Sequence, residues 1–457
     1  MPHQINPLLS DQFRIPFHLI RAEHVESGIR QALEEAQAQV DELAGLTGDA
    51  TWLNTIERLD AITERLSRCI TPASHLISVA ETPELRAAYN AVLPEISAFF
   101  SRLPLNASLW RRVKAFADPA EASQLAGTRA RHLMKTVRDF RRAGADLAEE
   151  DKERLQGLQV TLAQLQQKFG ENVLDATAAY ELNVTDENRL AGVPEAALRR
   201  ASAKAEEKGL SGWLLTLDYP SVEPILKHCE DRELRREIHH AFVTRCRAGD
   251  FDNRPLLARI LRMRHEVATI LGYQSFPDYV LEDRMAGKGE RAIEFESDLV
   301  DRTRSSWQRD IDQLRDFAGD LGIDGVEPWD VAFAMERLRK ARFDIDDEAL
   351  RPYFPLDQVL EGLFGIVQRT FGFRVEQHEI TELWHSDVCY YEMFDESDQQ
   401  VGAFYTDWFP RKEKRQGAWM NDFITGGPFK LTCTPVELGD RPHARGHGHP
   451  DEGMAPW

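Results

Sequence analysis

The sequence lacks the features that mark secreted, membrane-spanning and nucleic-acid-binding proteins. Its five cysteines are scattered and never in Cys-x-x-Cys spacing, which argues against a disulfide framework and indicates reduced thiols. No apolar run approaches the roughly 20 residues that span a bilayer, and the first residues lack the basic-then-apolar profile of a signal peptide. A net charge of −20 disfavours nucleic acid and anionic membranes as main partners. These absences predict a cytoplasmic protein with neither a nucleic-acid nor a membrane partner.

A long, charged chain with helical periodicity remains after these exclusions. Its 457 residues can form two or more domains, and 42% apolar with 29% charged residues is typical of a soluble globular protein. Apolar residues recur at steps of three and four along most of the chain, which predicts amphipathic helices. The predicted helices span residues 25–43, 53–70, 85–100, 146–174, 196–208, 224–248, 254–271, 286–321, 328–343 and 356–371.

Two apolar stripes on these helices are assigned to the core. The stripe of helix 146–174 indicates a long helix packed along others rather than a ligand groove. The stripe of helix 356–371 is predicted to be that helix's buried face. The first stripe comprises Leu155, Leu158, Leu162, Leu165, Phe169 and Val173, and the second comprises Leu356, Leu360, Leu363, Val367 and Phe371.

The most strand-like stretch follows the last helix. Cys389–Phe394 and residues 401–409 are rich in aromatic and β-branched residues, and the polar segment 395–400 between them predicts a β-hairpin. A small-residue loop, 417–427, comes next and suggests that the hairpin prepares a site. With one brief strand-like run at 213–217, the predicted fold class is mainly α with a small β-hairpin. The hairpin and the loop are separated by a basic patch of Arg411, Lys412, Lys414 and Arg415.

Two groups of histidines come close to a zinc motif. His265 and Glu266 begin the pattern His-Glu-x-x-His, but Thr269 occupies the place of the second histidine, so an ordinary exposed helix is the better interpretation. His443, His447 and His449 lie close together, but the glycines and proline among them disfavour a helix there. A flexible histidine-rich tail binds zinc or nickel only adventitiously.

The remaining candidates do not form a catalytic set either. His239 and His240 are adjacent on a helix and therefore face different directions. His385-Ser386-Asp387 has the residue types of a triad, but sequence neighbours do not easily form that relay. The loop Thr425-Gly426-Gly427-Pro428 is too short to cradle a phosphate, and neither GxxxxGK nor GxGxxG occurs. The sequence therefore assigns no catalytic, cofactor-binding or metal-binding residue.

A set of segments between about residue 5 and about residue 440 carries a family resemblance. They are Asn6-Pro7-Leu8-Leu9, Arg262-Met263-Arg264-His265-Glu266-Val267-Ala268, Leu271-Gly272-Tyr273, Tyr353-Phe354-Pro355-Leu356, Trp384-His385-Ser386-Asp387-Val388, Gly402-Ala403-Phe404-Tyr405-Thr406-Asp407 and Gly417-Ala418-Trp419-Met420. Taken together, these segments resemble the thimet-oligopeptidase family of zinc metallopeptidases, family M3. The resemblance implies a helical, clam-like fold with a deep channel between two lobes, which admits short peptides and excludes folded proteins. It also implies a monomer acting on short peptides.

The family's zinc chemistry requires residues that this sequence does not contain. The resemblance implies one zinc ion, held by both histidines of HExxH and a downstream glutamate, that activates water and polarises the scissile carbonyl. Residues 431–436 fit the strand that precedes this motif, but the sequence from 439 to 457 departs from the family. We therefore expect a chain truncated before HExxH by a frameshift or early stop, without zinc ligands and without activity.

The break in helical periodicity at 183–194 and the resemblance together divide the chain into four parts, and three functional alternatives stay open. We expect an irregular segment 1–22, an N-terminal helical domain 23–200, the first part of the M3 peptidase domain at 201–440, and a non-family tail 441–457. The first alternative is a metallo-oligopeptidase by descent that is inactive. The second is a helical protein that binds peptides or a partner without catalysis. The third alternative is a product that does not persist, because its helices have lost part of the surface against which they pack.

Overall fold

The computed structural model describes residues 6–118, 120–344, 347–415 and 417–425. This part of the chain is mainly helical with two small antiparallel sheets, which confirms the predicted fold class. No helix within it is both long enough and apolar enough to cross a membrane. The helices of the first half are α1 (Ala22–Ala44), α2 (Glu57–Val79), α3 (Pro83–Leu105), α4 (Ala107–Ala117), α5 (Ala120–Ser123), α6 (Gly127–Arg142), α7 (Glu149–Ala179) and α8 (Glu195–Glu207).

The first six helices share one large core. Short polar residues begin several of them: the Thr82 side chain accepts a hydrogen bond from the amide of Leu85, and Asn106 caps α4 in the same way. Buried side chains from Leu8 to Ala145 form a single cluster at the centre of this bundle. Trp384, Tyr405 and Phe423 from the far end of the sequence pack against the same cluster. The four-part division of the chain remains a prediction.

The second half contains the remaining helices, two of which correct a prediction. Residues 224–248 were expected to form one helix, but the chain breaks at Cys229, where the helix ends in extended backbone, and a new helix begins after the cap Asp231. The long stripe of α7 is confirmed as core, because it packs against Ile260, Met263 and Val267. The helices are α9 (Tyr219–His228), α10 (Arg232–Thr244), α11 (Arg254–Ile270), α12 (Phe276–Leu281), α13 (Gly289–Asp320), α14 (Pro328–Phe343), α15 (Asp347–Leu350) and α16 (Leu356–Phe371).

The strands confirm the hairpin and add one partner to it. Strands β1 (Leu182–Val184) and β2 (Trp213–Leu215) form a two-stranded sheet, so the predicted run at 213–217 is a strand. The hairpin consists of β4 (Cys389–Phe394) and β5 (Gln400–Thr406), which ends three residues before the predicted limit. Strand β3 (Arg374–His378) pairs with β4 and completes a β3-β4-β5 sheet that the sequence did not predict.

The prediction that the last helix, α16, buries its apolar stripe is wrong. Helix α16 has no buried residue, and Leu363 and Phe371 are 48% and 67% exposed. Gly372 ends the helix in the left-handed conformation at φ 78°, as glycine at this position does. Among the described residues, packing involves the side that carries Phe364, which lies against Tyr391 at a centroid distance of 5.2 Å. The periodicity identified an apolar face correctly but did not identify what covers it.

A buried ion-pair network joins α10 to α14. Asp330 is fully buried and Arg235 is 1% exposed. The Arg235 Nη2 donates to Asp330 Oδ1 at 2.8 Å, and the Arg232 Nη2 donates to Asp330 Oδ2 at 2.7 Å. The Arg235 guanidinium also lies 4.0 Å from the centroid of Phe333. One carboxylate therefore compensates two cations, one of which has no access to water.

We expect Asp330→Asn to lower the free energy of unfolding by about 3 kcal/mol, because it leaves the buried Arg235 charge without its counter-ion. Urea denaturation measures this change. The control is Glu233→Gln, which removes a 2.7 Å surface pair with Arg236 and should cost at most about 1 kcal/mol. Equal losses for the two variants would contradict the role assigned to the network.

Candidate functional site

The hairpin docks on the N-terminal bundle through a cluster of aromatic rings, here called the aromatic junction (Phe17, His75, Trp384, Tyr405 and Phe423). Phe17 lies 4.9 Å from Trp384 and 5.6 Å from Tyr405, measured between ring centroids. His75, on α2, lies 4.6 Å from Trp384 and 4.8 Å from Phe423. Most of these pairs are edge-to-face, the arrangement that the ring quadrupoles favour. The junction joins residues from the first 80 and the last 75 positions of the chain.

An ionic clamp centred on Asp407 lies beside the aromatic junction. Arg411 donates two hydrogen bonds of 2.7 Å to the Asp407 carboxylate, and Trp384 Nε1 donates a third at 3.0 Å. The Lys414 Nζ lies 3.0 Å from the same carboxylate. Burial alone would raise the pKa of Asp407, but the hydrogen bonds from Arg411, Trp384 and Lys414 outweigh burial and lower the pKa to about 2. Asp407 is therefore charged at neutral pH.

The clamp also fixes the following loop to the end of α2. Arg411 Nη2 donates to the carbonyl of Val79 at 2.9 Å. The amide of Arg415 donates to the carbonyl of Ser78 at 2.8 Å, and the amide of Glu81 donates to the carbonyl of Glu413 at 3.1 Å. These bonds satisfy backbone groups that the helix end leaves without partners. The loop is thus part of the bundle.

Most cations of the predicted basic patch already have partners in the protein. Arg411 and Lys414 have side chains only 10% and 9% exposed and are paired with Asp407. The Arg415 guanidinium stacks on Trp419 at 4.4 Å, and burial lowers its pKa. Lys412 is the one member of the patch for which these contacts give no structural role. The four cations therefore do not form a free anion-binding surface.

A second ionic contact joins the hairpin to the first residues of the chain. The Arg14 Nη2 donates to Glu392 Oε1 at 2.7 Å, and the Tyr390 hydroxyl donates to the same oxygen at 3.1 Å. Burial would raise the pKa of Glu392, but the hydrogen bonds from Arg14 and Tyr390 lower it. His378 Nε2, on β3, lies 3.5 Å from the other carboxylate oxygen. Sequence reasoning missed this cluster because Arg14 is 378 residues from Glu392.

The incomplete zinc motif on α11 does not form a metal site. Thr269 Oγ1 donates to the carbonyl of His265 at 2.9 Å, which is a bond within the helix. Glu266 lies 3.3 Å from Arg154 Nη2 in an exposed ion pair. Across the described ranges, no group of three or more His, Cys, Asp or Glu residues could hold a metal ion. The described residues therefore do not fit the zinc ion that the family resemblance implies.

The other histidine candidates are placed apart. His239 lies 6.2 Å from the Trp329 ring, whereas His240 is exposed. The amide of Asp387 donates to His385 Nδ1 at 3.1 Å, a turn contact rather than a relay to a nucleophile. Thr425 Oγ1 donates to Glu64 at 2.7 Å and so ends the described chain on α2. The rest of the predicted 425–428 loop, residues 431–436, His443, His447 and His449 lie outside the described residues.

Comparison with protein families gives two matches. The family described as "Neurolysin/Thimet oligopeptidase, N-terminal domain" matches residues 29–152, and the family described as "Peptidase family M3" matches residues 225–443. The second match includes the hairpin, the Asp407 clamp and helices α10 to α16 in its range. The first includes most of the bundle on which the hairpin docks.

Individual relatives agree with these matches. The chain is 36% identical to "Oligopeptidase A" of Escherichia coli (strain K12) over 425 residues, which cover 92% of this chain and 62% of that protein. It is 35% identical over 436 residues to "Probable cytosolic oligopeptidase A" of Arabidopsis thaliana, covering 92% of this chain and 61% of the relative. "Organellar oligopeptidase A, chloroplastic/mitochondrial" from the same plant is also 35% identical, covering 92% and 54%. The chain thus spans between half and two-thirds of the length of these relatives.

We expect His75 to make the aromatic junction sensitive to acid. Burial lowers the pKa of His75 from 6.5 to about 4, so the folded protein holds it neutral where the unfolded chain is protonated. The contribution of neutral His75 to the free energy of unfolding is complete above pH 6.5 and is lost as the pH falls towards 4. The loss from this residue is about 3 kcal/mol.

Denaturant unfolding at pH 7 and at pH 4 tests this expectation. His75→Leu should reduce the difference in stability between the two pH values by about 3 kcal/mol relative to the parent chain. His240→Leu, at an exposed position, is the matched control and should leave the difference unchanged. If His75→Leu keeps the parent pH dependence, the acid sensitivity comes from other groups.

Proposed function

The chain belongs to peptidase family M3, and from this membership we propose that its 457 residues form the peptide-holding part of an oligopeptidase A-like zinc metalloendopeptidase acting on short peptides. The observation that carries the proposal is the 36% identity to a protein described as oligopeptidase A, extending over 92% of this chain. The ordered junction between the hairpin and the N-terminal bundle supports it, because a binding surface needs elements held in fixed positions.

We propose further that this 457-residue polypeptide does not hydrolyse peptides by itself. Its sequence contains no His-Glu-x-x-His, because Thr269 follows His265-Glu266, and Glu382 follows His378-Glu379, where the second histidine would stand. A catalytic zinc centre of the HExxH type needs two imidazoles that face one metal, together with a base that activates the bound water. Neither His265 nor Glu266 has partners that supply such a centre.

A second candidate function is binding of a protein partner without a role for short peptides. The observation that favours it is the exposed apolar character of α13 and α16, which carry Trp307 at 58% and Leu363 at 48% exposure. Exposed apolar patches of this kind mark interaction surfaces. The two candidates differ in one property that can be measured, the affinity of the isolated chain for short peptides.

The proposal includes a monomeric chain in the cytoplasm that binds neither nucleic acid nor membrane. The scattered spacing of the five cysteines and the charge of −20 support this environment. The relatives include one described as cytosolic and one described as chloroplastic/mitochondrial, so the location needs its own measurement. Fractionation of the source cells, with antibody detection of the chain, supplies it.

We expect the purified chain to bind a quenched fluorescent peptide of about ten residues and to leave it uncleaved, with or without added Zn²⁺. Fluorescence anisotropy measures binding, and dequenching measures cleavage. Full-length Escherichia coli oligopeptidase A, assayed with the same peptide, is the positive control. Chelator-sensitive cleavage by the 457-residue chain would refute the claim of inactivity. A folded chain without peptide affinity would instead favour the partner-binding alternative.

A further inference from the structure

The first part of α13 stands almost free of the rest of the described chain. Every residue from 293 to 310 is exposed. The end of the same helix is packed: Leu314 and Ala318 are buried against a group that includes Val331 of α14. Most helical stability in proteins comes from packing of an apolar face against other elements rather than from helix propensity. The rest of the described chain therefore gives residues 293–310 little of this stabilising contact.

An apolar stripe runs along this free part. Ile293, Val300 and Trp307 are spaced seven residues apart, so they lie on one face, and they are 65%, 53% and 58% exposed. The next residue at this spacing is Leu314, which is 4% exposed. The described residues thus cover one continuous face of α13 at its end and leave the beginning of that face uncovered.

A second stripe lies on α16. Leu356, Val359, Leu363 and Ile366 follow the spacing three, four, three and are 36% to 53% exposed. This is the spacing by which one helix presents a seam to another. The neighbouring side of α16 is occupied, because Phe364 packs against Tyr391. The helix therefore has two apolar sides, and the described residues cover only one of them.

We propose that these two stripes are the docking surface for the carboxyl-terminal segment of an M3 peptidase chain, which binds them through apolar helix faces. The aligned region covers 62% of Escherichia coli oligopeptidase A, so 38% (100 − 62) of that protein has no counterpart in the alignment. A segment of this size has enough surface to cover both stripes. The proposal deepens the proposed function and rests on it only for family membership.

A second copy of the same chain is the less favourable occupant. Each copy carries a net charge of −20, so a symmetric dimer would bring two strongly negative molecules together. The exposed part of α13 itself carries Glu294, Glu296 and Asp298 close to the stripe. A dimer formed through this face would place like charges near one another. The proposed carboxyl-terminal segment has a different sequence and need not carry the same charges.

The test mixes the purified 457-residue chain with a separately produced fragment of Escherichia coli oligopeptidase A that follows the aligned region. Light scattering should show a one-to-one complex. Hydrogen exchange of residues 293–310 should slow by at least about tenfold on binding, since a free helix exchanges by local opening and a packed one does not. Absence of a complex, or a complex in which exchange in α13 does not change, would overturn the proposal.

Matched variants locate the contact. Val300→Glu and Leu363→Glu place a charge in the stripes and should weaken fragment binding by about tenfold or more, because the carboxylate would be buried without a partner. Ser305→Glu and Gln368→Glu add the same charge elsewhere on the same two helices and should leave binding unchanged. All four sites are exposed, so the melting temperature of the isolated chain should stay constant.

Two results would count against the proposed occupant. Equal weakening by the stripe variants and the control variants would show that charge alone matters. Concentration-dependent dimers of the chain, with α13 protected in the absence of the fragment, would assign the surface to a second copy. Peptide affinity is measured without the fragment, so the two experiments are independent. If the fragment does not dock, the proposed peptide-binding function still stands. If the chain has no peptide affinity, docking of the fragment can still be tested.

Discussion

The carboxylate of Asp407 organises the contacts that hold the loop after β5 against the end of α2. It accepts hydrogen bonds from Arg411 and Trp384 and lies 3.0 Å from Lys414, and this set of partners holds the loop after β5 against the last turn of α2. A charge that is 9% exposed is unfavourable unless it is compensated, so each partner depends on the others. The aromatic junction packs beside this clamp and excludes water from it. Removal of either element would expose the other.

The Asp407 clamp and the aromatic junction provide an ordered scaffold but no catalytic chemistry. The clamp and junction attach the β3-β4-β5 sheet to the N-terminal bundle. The chemistry of cleavage is a separate requirement, and the described residues supply no set of metal ligands. The polypeptide therefore combines an ordered M3 scaffold with exposed faces on α13 and α16. Peptide binding and catalysis are separate properties here, and only the first is proposed for these 457 residues alone.

The sequence predicted this fold best where local chemistry decides the outcome. The limits of α14 and α16 match the predicted 328–343 and 356–371, because a proline begins α14 and Gly372 ends α16. Strand β3 was missed because Arg374–His378 alternates charged and polar residues with a single β-branched one, which resembles a loop.

The site was harder to predict, because its contacts join residues that are far apart in sequence. His75 gives no signal on α2, yet it lies in the aromatic junction 346 residues from its hydrogen-bond partner Asn421. The basic patch was visible, but its pairing with Asp407 was not, since periodicity and composition do not show which charges meet. For the same reason, the stripe of α16 predicted an apolar face and could not show that its partner is absent from the described chain.

Native-state hydrogen exchange tests most directly whether the clamp joins the hairpin loop to the bundle. The amide of Arg415 donates to Ser78 of α2, so its exchange reports opening of this contact. If the loop is part of the bundle, this amide should exchange with the same opening free energy as the amides in the last turn of α2. Rapid exchange of the Arg415 amide while α2 stays protected would contradict the account, because the loop would then be attached without sharing the stability of the bundle.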